Sequence, residues 1–302
     1  MESVIRADGL RKRYGNTVAV DDVSFEVGRG EIFGVVGPNG AGKTTTVECL
    51  TGMRKPDSGT VEVLGLDPSR HGDELRRRIG IQLQQAALPE RLKVREALEL
   101  YSSFYEKPAD WKRLMSDWDL TDKQNAYFAN LSGGQKQRLF VVLALLNDPE
   151  VVFLDELTTG LDPQARRTSW ELVRGIREAG KTVVLVTHFM DEAEQLCDRV
   201  AVVDGGKVIA LDSPVKLISD LAAETRLTFT VGNGFDPSCL KGVRGVTGAT
   251  RDGERVVVTG GSILAPVAAE LERRGVDAGD LKTDRASLED VFISLTRRRV
   301  RD

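Results

Sequence analysis

Three clusters of residues in this sequence carry the chemistry of phosphate handling. Gly37-Pro38-Asn39-Gly40-Ala41-Gly42-Lys43-Thr44 fits the spacing G-x-x-x-x-G-K-[ST] and falls between an apolar run and a helix-compatible stretch, the context a phosphate-binding loop requires. Its glycines permit positive φ and leave no side chain between backbone N–H groups and phosphate oxygens. The helix that follows, entered through Thr44 and Thr45, presents its N-terminus to the same anion. Lys43 would reach the β and γ phosphates, and Thr44 would place its hydroxyl on Mg²⁺. Downstream, Val151-Val152-Phe153-Leu154-Asp155-Glu156 is an apolar strand ending in two carboxylates. Asp155 suits the Mg²⁺ shell, which leaves Glu156 to orient and deprotonate a water. Between the two stands Leu131-Ser132-Gly133-Gly134-Gln135, a turn that opens a helix with a second cluster of backbone N–H groups. One chain already has a complete phosphate loop, so the economical reading is that this cluster faces the γ-phosphate held by another copy.

The elements that must position these groups are legible from periodicity. Val23, Phe25 and Val27 alternate as in a half-buried strand, and Glu31 to Val36 is the near-continuous apolar run of a parallel-sheet strand. Lys55 to Gly59 signals a turn before a strand at Thr60 to Leu64, and Ile79 to Leu83 reads as another. From about Leu92 to about Asp148 the pattern is helical, with Val94, Leu98, Tyr101 and Tyr105 at helical spacing. The run after Gln135 is apolar nearly all round and predicts a buried helix. Strand and helix then alternate: Val151 to Leu154, Pro163 to Ala179, Thr182 to Thr187, Asp191 to Cys197 and Arg199 to Val203, with a hairpin through Asp204-Gly205-Gly206 to Lys207–Leu211. Such alternation implies a mostly parallel sheet with helices on its faces. A boundary is expected near Ser213-Pro214. Beyond it, Leu227, Phe229 and Val231 and the positions around Val256 and Val258 read as strands of a small α+β module. A capping box (Ser287, Asp290) opens a last amphipathic helix, and the arginine-rich tail from Arg297 reads as a solvated end.

Composition excludes several classes. In 302 residues, 42 Lys and Arg stand against 46 Asp and Glu, so the formal charge is −4. A mildly acidic chain is a poor sequence-independent DNA coat. The longest apolar run, Leu139 to Leu146, falls far short of a membrane span. Charges occupy the N-terminus where a signal peptide would be apolar, so the chain is expected to stay in the cytosol. Cys49, Cys197 and Cys239 form no CxxC pair and read as small buried hydrophobes.

The clusters together make the family resemblance. Ser132 lies 132 − 43 = 89 residues after Lys43, and LSGGQ stands between the phosphate loop and the Asp155-Glu156 strand. In this order the motifs resemble an ATP-binding cassette (ABC) ATPase over about residues 1–213. The resemblance implies an α/β fold: a P-loop ATPase core with a mostly parallel sheet, an antiparallel β subdomain and a helical subdomain at about 86–150. A small α+β domain then follows over 214–302. Residues 37–45, from Gly37 through Pro38, Asn39, Gly40, Ala41, Gly42, Lys43 and Thr44 to Thr45, would hold ATP. Ser132, Gly133, Gly134 and Gln135 would face the nucleotide of a second copy. Tyr14 in Arg13-Tyr14-Gly15 resembles the aromatic that stacks on adenine. Gln84 resembles the glutamine that touches Mg²⁺ and the attacking water, with Gln82 and Gln85 competing for that role. Thr158-Thr159-Gly160-Leu161-Asp162 matches the D-loop, which links the two sites of a dimer, and His188 matches the switch histidine on the γ-phosphate. Leu157 departs from the pattern, since the family usually has proline after the catalytic glutamate.

The C-terminal part, above all Ser287-Leu288-Glu289-Asp290-Val291-Phe292, is similar to ATP-binding subunits of ABC-2-type exporters of the daunorubicin-resistance kind. That implies a homodimer at the cytoplasmic face of the membrane, driving export of a drug-like or lipid-like substrate through ABC-2-type transmembrane permease subunits. Exposed members of the set Leu88, Leu92, Val94 and Tyr101 are the expected candidates for permease contact. The rival reading is a soluble ABC ATPase acting on nucleic acid or ribosomes. A single set of motifs, no coiled-coil or zinc insertion between the phosphate loop and LSGGQ, and the acidic balance all speak against it, so no nucleic acid partner is expected. A non-catalytic scaffold is disfavoured by the presence of Lys43, Asp155, Glu156 and His188 together.

Overall fold

Burial alternates along the first two strands, and the alternation dictates a half-covered antiparallel sheet. The computed structural model describes residues 2–84, 86–221, 225–232, 235–284 and 286–299. β1 (Ser3–Tyr14) pairs antiparallel with β2 (Thr17–Gly28), turning Val20, Val23, Phe25 and Val27 inward. The fully buried β3 (Ile32–Val36) leads through the phosphate loop into α1 (Lys43–Leu50). β4 (Ser58–Val63) adds to β1 as the third strand of the antiparallel sheet, in the order β2-β1-β4. After α2 (Gly72–Arg76) comes β5 (Ile79–Gln82).

The helical stretch is not continuous. It divides into α3 (Val94–Ser102), α4 (Trp111–Asp117) and α5 (Gly133–Leu145), with two short 3-10 turns between α4 and α5. Tyr105 therefore lies beyond α3 and not on it: Ser103 ends the helix, and the polar segment before Asp110, which caps α4 by accepting from Lys112 N at 2.9 Å, cannot continue an apolar stripe. β6 (Val151–Asp155), α6 (Pro163–Glu178), β7 (Thr182–Thr187), α7 (Met190–Leu196), β8 (Arg199–Asp204) and β9 (Lys207–Asp212) follow as the alternation predicts. The central sheet has the order β5-β6-β7-β3-β8-β9, parallel except for β9. A core of Phe33, Val35, Leu50, Phe153, Val184 and Val203 joins this sheet to the antiparallel one.

The chain divides into two compact units, Met1–Pro214 and Val215–Asp302. α8 (Pro214–Leu221) leads into the second. Here β10 (Thr225–Thr230), β11 (Val246–Asp252), β12 (Arg255–Gly260) and β13 (Gly279–Asp284) form an antiparallel sheet in the order β11-β12-β10-β13. α9 (Leu264–Arg273) joins β12 to β13, and a 3-10 turn at Pro237–Leu240 stands between β10 and β11. The wiring is that of a split β-α-β unit with its first helix shortened to one turn. Leu227, Phe229, Val256, Val258, Val267 and Leu271 make its core. α10 (Leu288–Arg299) starts at the expected capping box, where Ser287 N donates to Asp290 Oδ2 at 2.9 Å. The arginines at 297–299 continue α10, and the tail beyond them lies outside the described residues. Among the described residues no helix is long and apolar enough to cross a membrane.

Candidate active site

The phosphate loop is shaped by two glycines that backbone presses from outside. Gly42 takes φ 99° as the N-cap of α1, and a Cβ there would stand 2.2 Å from the Ala19 carbonyl oxygen on β2. A Cβ on Gly37 would stand 2.1 Å from the Val203 carbonyl oxygen on β8. The loop is thus wedged between the two sheets, and no other residue type fits either position. Lys43 is buried, and its Nζ donates to Gly37 O at 2.8 Å and Pro38 O at 2.9 Å. Burial lowers the pKa of this ammonium, against the pull of Glu156 and Asp155. Pro38, Asn39 and Gly40 form the exposed rim, Ala41 is buried beneath them, and Thr44 and Thr45 begin α1 within reach of solvent.

β6 delivers the two carboxylates. Asp155 is buried, and its Oδ1 has no hydrogen-bond partner. Burial first, and the neighbouring Glu156 second, push its pKa up to about 6, while a hydrogen bond to the Thr44 side chain acts in the opposite sense. An orphaned buried oxygen beside a threonine hydroxyl is a donor set that suits a hard divalent cation. Among the described residues no group of three or more His, Cys, Asp and Glu side chains could hold a metal. A cation here would therefore take Asp155 and Thr44 and fill the rest of its shell with neutral protein, phosphate and water oxygens.

Glu156 occupies the left-handed region at φ 51°. Its N–H donates to Val186 O at 2.9 Å, which fixes the turn to β7. The carboxylate is held from two sides: Gln84 Nε2 donates to Oε2 at 2.7 Å, and His188 Nδ1 lies 3.2 Å from Oε1. Thr159 Oγ1 reaches Oε2 at 3.4 Å. The His188 ring packs at 4.0 Å on Phe189, whose other contact is the Arg166 guanidinium at 4.3 Å. The residue after a left-handed glutamate matters. A proline at 157 would drive Glu156 toward extended backbone, whereas Leu157 imposes no such restriction and buries its own side chain.

The three competing glutamines part company. Gln84 reaches Glu156, whereas Gln82 is buried on β5 and turns its amide to Leu83 O at 2.8 Å and to Gln137 on α5 at 3.4 Å; Gln85 lies outside the described residues. Tyr14 is exposed at the end of β1 and pairs with Thr17, two residues from the Ala19 carbonyl that abuts Gly42. Lys12 Nζ and the Arg54 guanidinium lie 5.9 and 5.2 Å from its ring. Ser132 caps α5: its Oγ accepts from Gln135 N at 3.3 Å, while Gln135 Oε1 accepts from Ser132 N at 3.0 Å. Gly133 is exposed beside it, and Gly134 partly so. Asp162 caps α6, accepting from Gln164 N and Ala165 N at 2.9 Å each. Ser132, Gly133, Gly134, Gly160, Leu161 and Asp162 line one open cavity of about 360 Å³, and no residue of the 37–45 loop takes part in it. Sequence reading placed Thr159 only within the D-loop and gave no role to Phe189 or Arg166; Phe189 is adjacent to His188 in the chain, but nothing in the spacing signals that its ring packs on the histidine or meets Arg166.

The chain matches the ABC transporter family over residues 20–159. It is 38% identical to the Nod factor export ATP-binding protein I of Ralstonia nicotianae (strain ATCC BAA-1114 / GMI1000), over 99% of this chain and 95% of that one. It belongs to the ATP-binding proteins of ABC transporters. A second relative, the daunorubicin resistance ATP-binding protein DrrA3 of Streptomyces coeruleorubidus, is 37% identical over 98% of this ABC protein and 96% of its own length. Among solved structures, a dimeric bacterial ABC transporter cassette superposes with a TM-score of 0.62 at 28% identity, covering 69% of this chain and 98% of that one. The α/β P-loop fold is that of the ABC ATPases, and the protein binds and hydrolyses ATP.

Proposed function

We propose that two copies of this ATPase close head to tail around ATP at the cytoplasmic face of the membrane. Closure drives export of a drug-like or lipid-like substrate through separate ABC-2-type permease subunits. The observation that carries the reading is the separation of the two anion sites. The amides at the start of α5 open into a cavity shared with the Gly160–Asp162 turn and not with the 37–45 loop, so the γ-phosphate they would meet is the one held by a second copy. Such a pairing is isologous and completes both sites at once. The names of the relatives, for Nod factor export and daunorubicin resistance, support export as the work done.

Within each composite site the roles follow from charge. Phosphoryl transfer spreads negative charge over the γ-phosphate oxygens, and catalysis is positioning plus electrostatic stabilisation. Lys43 and the loop amides hold the β and γ phosphates, Tyr14 stacks on the base, and Asp155, Thr44 and Gln84 are the residues that would hold Mg²⁺. The cation supplies further positive charge on the phosphate oxygens when bound. Glu156 deprotonates the attacking water. Its carboxylate is desolvated and already oriented by Gln84 and His188, which preserves its direction while leaving lone pairs free. His188 then serves the γ-phosphate, and Ser132, Gly133, Gly134 and Gln135 of the other copy complete the positive field, with Asp162 tying the two sites together.

Of the four candidates for permease contact, Leu88 and Val94 are buried in the helical subdomain, which leaves the half-buried Leu92 and Tyr101. Among the described residues, the exposed large hydrophobic side chains of this stretch are Leu83, Leu100, Phe104 and Tyr127. Leu83, Tyr101 and Tyr105 line a cavity of about 450 Å³ beside Gln82, two residues before Gln84. A permease helix seated there would act directly on the segment that carries Gln84. The test is to weigh the purified Glu156→Gln variant with ATP and Mg²⁺, and to co-express the wild type with a candidate permease. A trapped dimer, and copurification with turnover that responds to substrate, are expected; a persistent monomer in both settings would sink the reading.

A further inference from the structure

Glu192 is a fully buried carboxylate of the ATPase unit to which the reaction above gives no work. It stands on α7, four residues after His188. Its Oε1 accepts a hydrogen bond from the Trp170 indole Nε1 on α6 at 3.1 Å, and its Oε2 is buried without a hydrogen-bond partner. Thr158, two residues after Glu156, is also fully buried, and its Oγ1 is a second orphan. The two orphans belong together. The hydroxyls of Thr158 and Thr187 approach the Glu192 carboxyl closely enough to favour its charged form, without satisfying hydrogen-bond geometry. Thr187 is already engaged as an acceptor, taking the Phe189 N–H at 3.0 Å. Arg166 on α6 completes the surroundings: it pairs with Asp191 at 3.3 Å, and its Nε is a further buried atom without a partner.

A buried polar atom left unsatisfied costs free energy, and here the unsatisfied atoms converge on one seam. Its sides are the turn after Glu156, which carries Thr158 and runs on to Asp162, and the β7–α7 junction, which carries His188. A small approach of one side to the other would satisfy Thr158 and Glu192 together. The same approach would shift Glu156 and His188, because each lies within four residues of a member of the pair.

We propose that Glu192 is a positioning residue for hydrolysis: it draws Thr158 and the Gly160–Asp162 turn toward the His188 segment, so that docking of a second copy on that turn sets the Glu156–His188 geometry. The proposal rests on the assignment of Glu156 and His188 under the proposed function.

The test is a double-mutant cycle on the full-length ATPase with Glu192→Gln and Thr158→Val, both close in shape to the residues they replace. Each single variant should lower kcat by about tenfold or more with little change in the ATP concentration for half-maximal rate, as expected when a positioning contact and not substrate binding is lost. The double variant should be no slower than the slower single one, because Glu192→Gln, by replacing the carboxylate with a weaker neutral acceptor, weakens the same contact that Thr158→Val removes. Thr158→Ser, which restores the hydroxyl, should recover most of the rate. Wild-type kcat in Glu192→Gln at unchanged Tm overturns the proposal, as does a double variant whose losses multiply. Glu156→Gln, run alongside, separates the two readings. If it still hydrolyses ATP, the assignment of the base fails; if it is inactive while Glu192→Gln is not, only the present inference fails.

Discussion

Glu156 is held by groups drawn from three separate segments, and the consequences of changing it are specific. Glu156→Gln keeps the shape of the side chain and its contact with Gln84 but removes the basic oxygen. Steady-state phosphate release should fall by about 10²–10⁴-fold, while binding of ATP, measured by titration, persists. Leu157 is an equally local case. It is 1% exposed directly after a left-handed residue, so Leu157→Ala should cost about 2–5 kcal/mol by chemical denaturation, the range for a buried leucine whose cavity does not refill. At Gly42 the physics is steric. With φ 99° and the Ala19 carbonyl in the space of a Cβ, Gly42→Ala should abolish nucleotide binding by displacing the loop, with the central sheet intact by circular dichroism.

At the scale of elements, the junctions between β6 and α6 and between β7 and α7 carry the buried polar groups that strands alone would not tolerate. Burial is the main cause holding the Glu192 carboxyl above its usual value of 4.5, with the Thr187, Thr158 and Trp170 side chains opposing it. The folded state therefore retains this proton more tightly than the unfolded chain. The stabilisation that comes from the protonated form is complete below pH 4.5 and is lost as pH rises through the raised folded value. Glu192→Gln carries no such penalty. Its Tm should match or exceed that of the wild type at neutral pH, and the gap should narrow as pH falls toward 4.5. A Tm below wild type at neutral pH would mean that the charged carboxylate stabilises the fold.

The whole molecule has a prediction of its own, which follows from the proposal that the two anion sites complete each other across copies. A Cβ on Gly134 meets only Leu161 Cδ2 at 3.6 Å and Ala165 Cβ at 3.8 Å, ordinary contacts. Gly134→Asp should therefore fold, yet it sets a carboxylate among the amides that await phosphate, and its hydrolysis should vanish. Lys43→Ala should be inactive for the opposite reason, loss of charge on the loop. Mixed dimers of the two dead variants hold one intact composite site, with the loop from one copy and the α5 turn from the other. Equimolar mixing should restore up to about a quarter of the wild-type rate if copies pair at random. No recovery on mixing would mean that each chain completes its own site.

The sequence by itself determined the linear parts: the phosphate loop, the carboxylates that end β6, the turn that opens α5, and the order of strands and helices. Each is encoded by residues adjacent in the chain, where backbone freedom and hydrophobic period act directly. Strand order, the choice of Gln84 over Gln82 for the contact with Glu156, and the burial of Leu88 and Val94 were decided only by tertiary structure. So was the breaking of the helical stretch before Tyr105, where local caps overrode an apolar spacing that continued past them. Gln82 and Gln84 differ by two positions, and β5 ends between them. The strand's pleat sends the first into the core, and the chain's departure from the sheet frees the second to reach Glu156. The Thr158–Glu192 seam was hidden for the same reason. Its members lie on three elements far apart in sequence, and only the packing of α6 and α7 against the ends of β6 and β7 brings them within reach of one another.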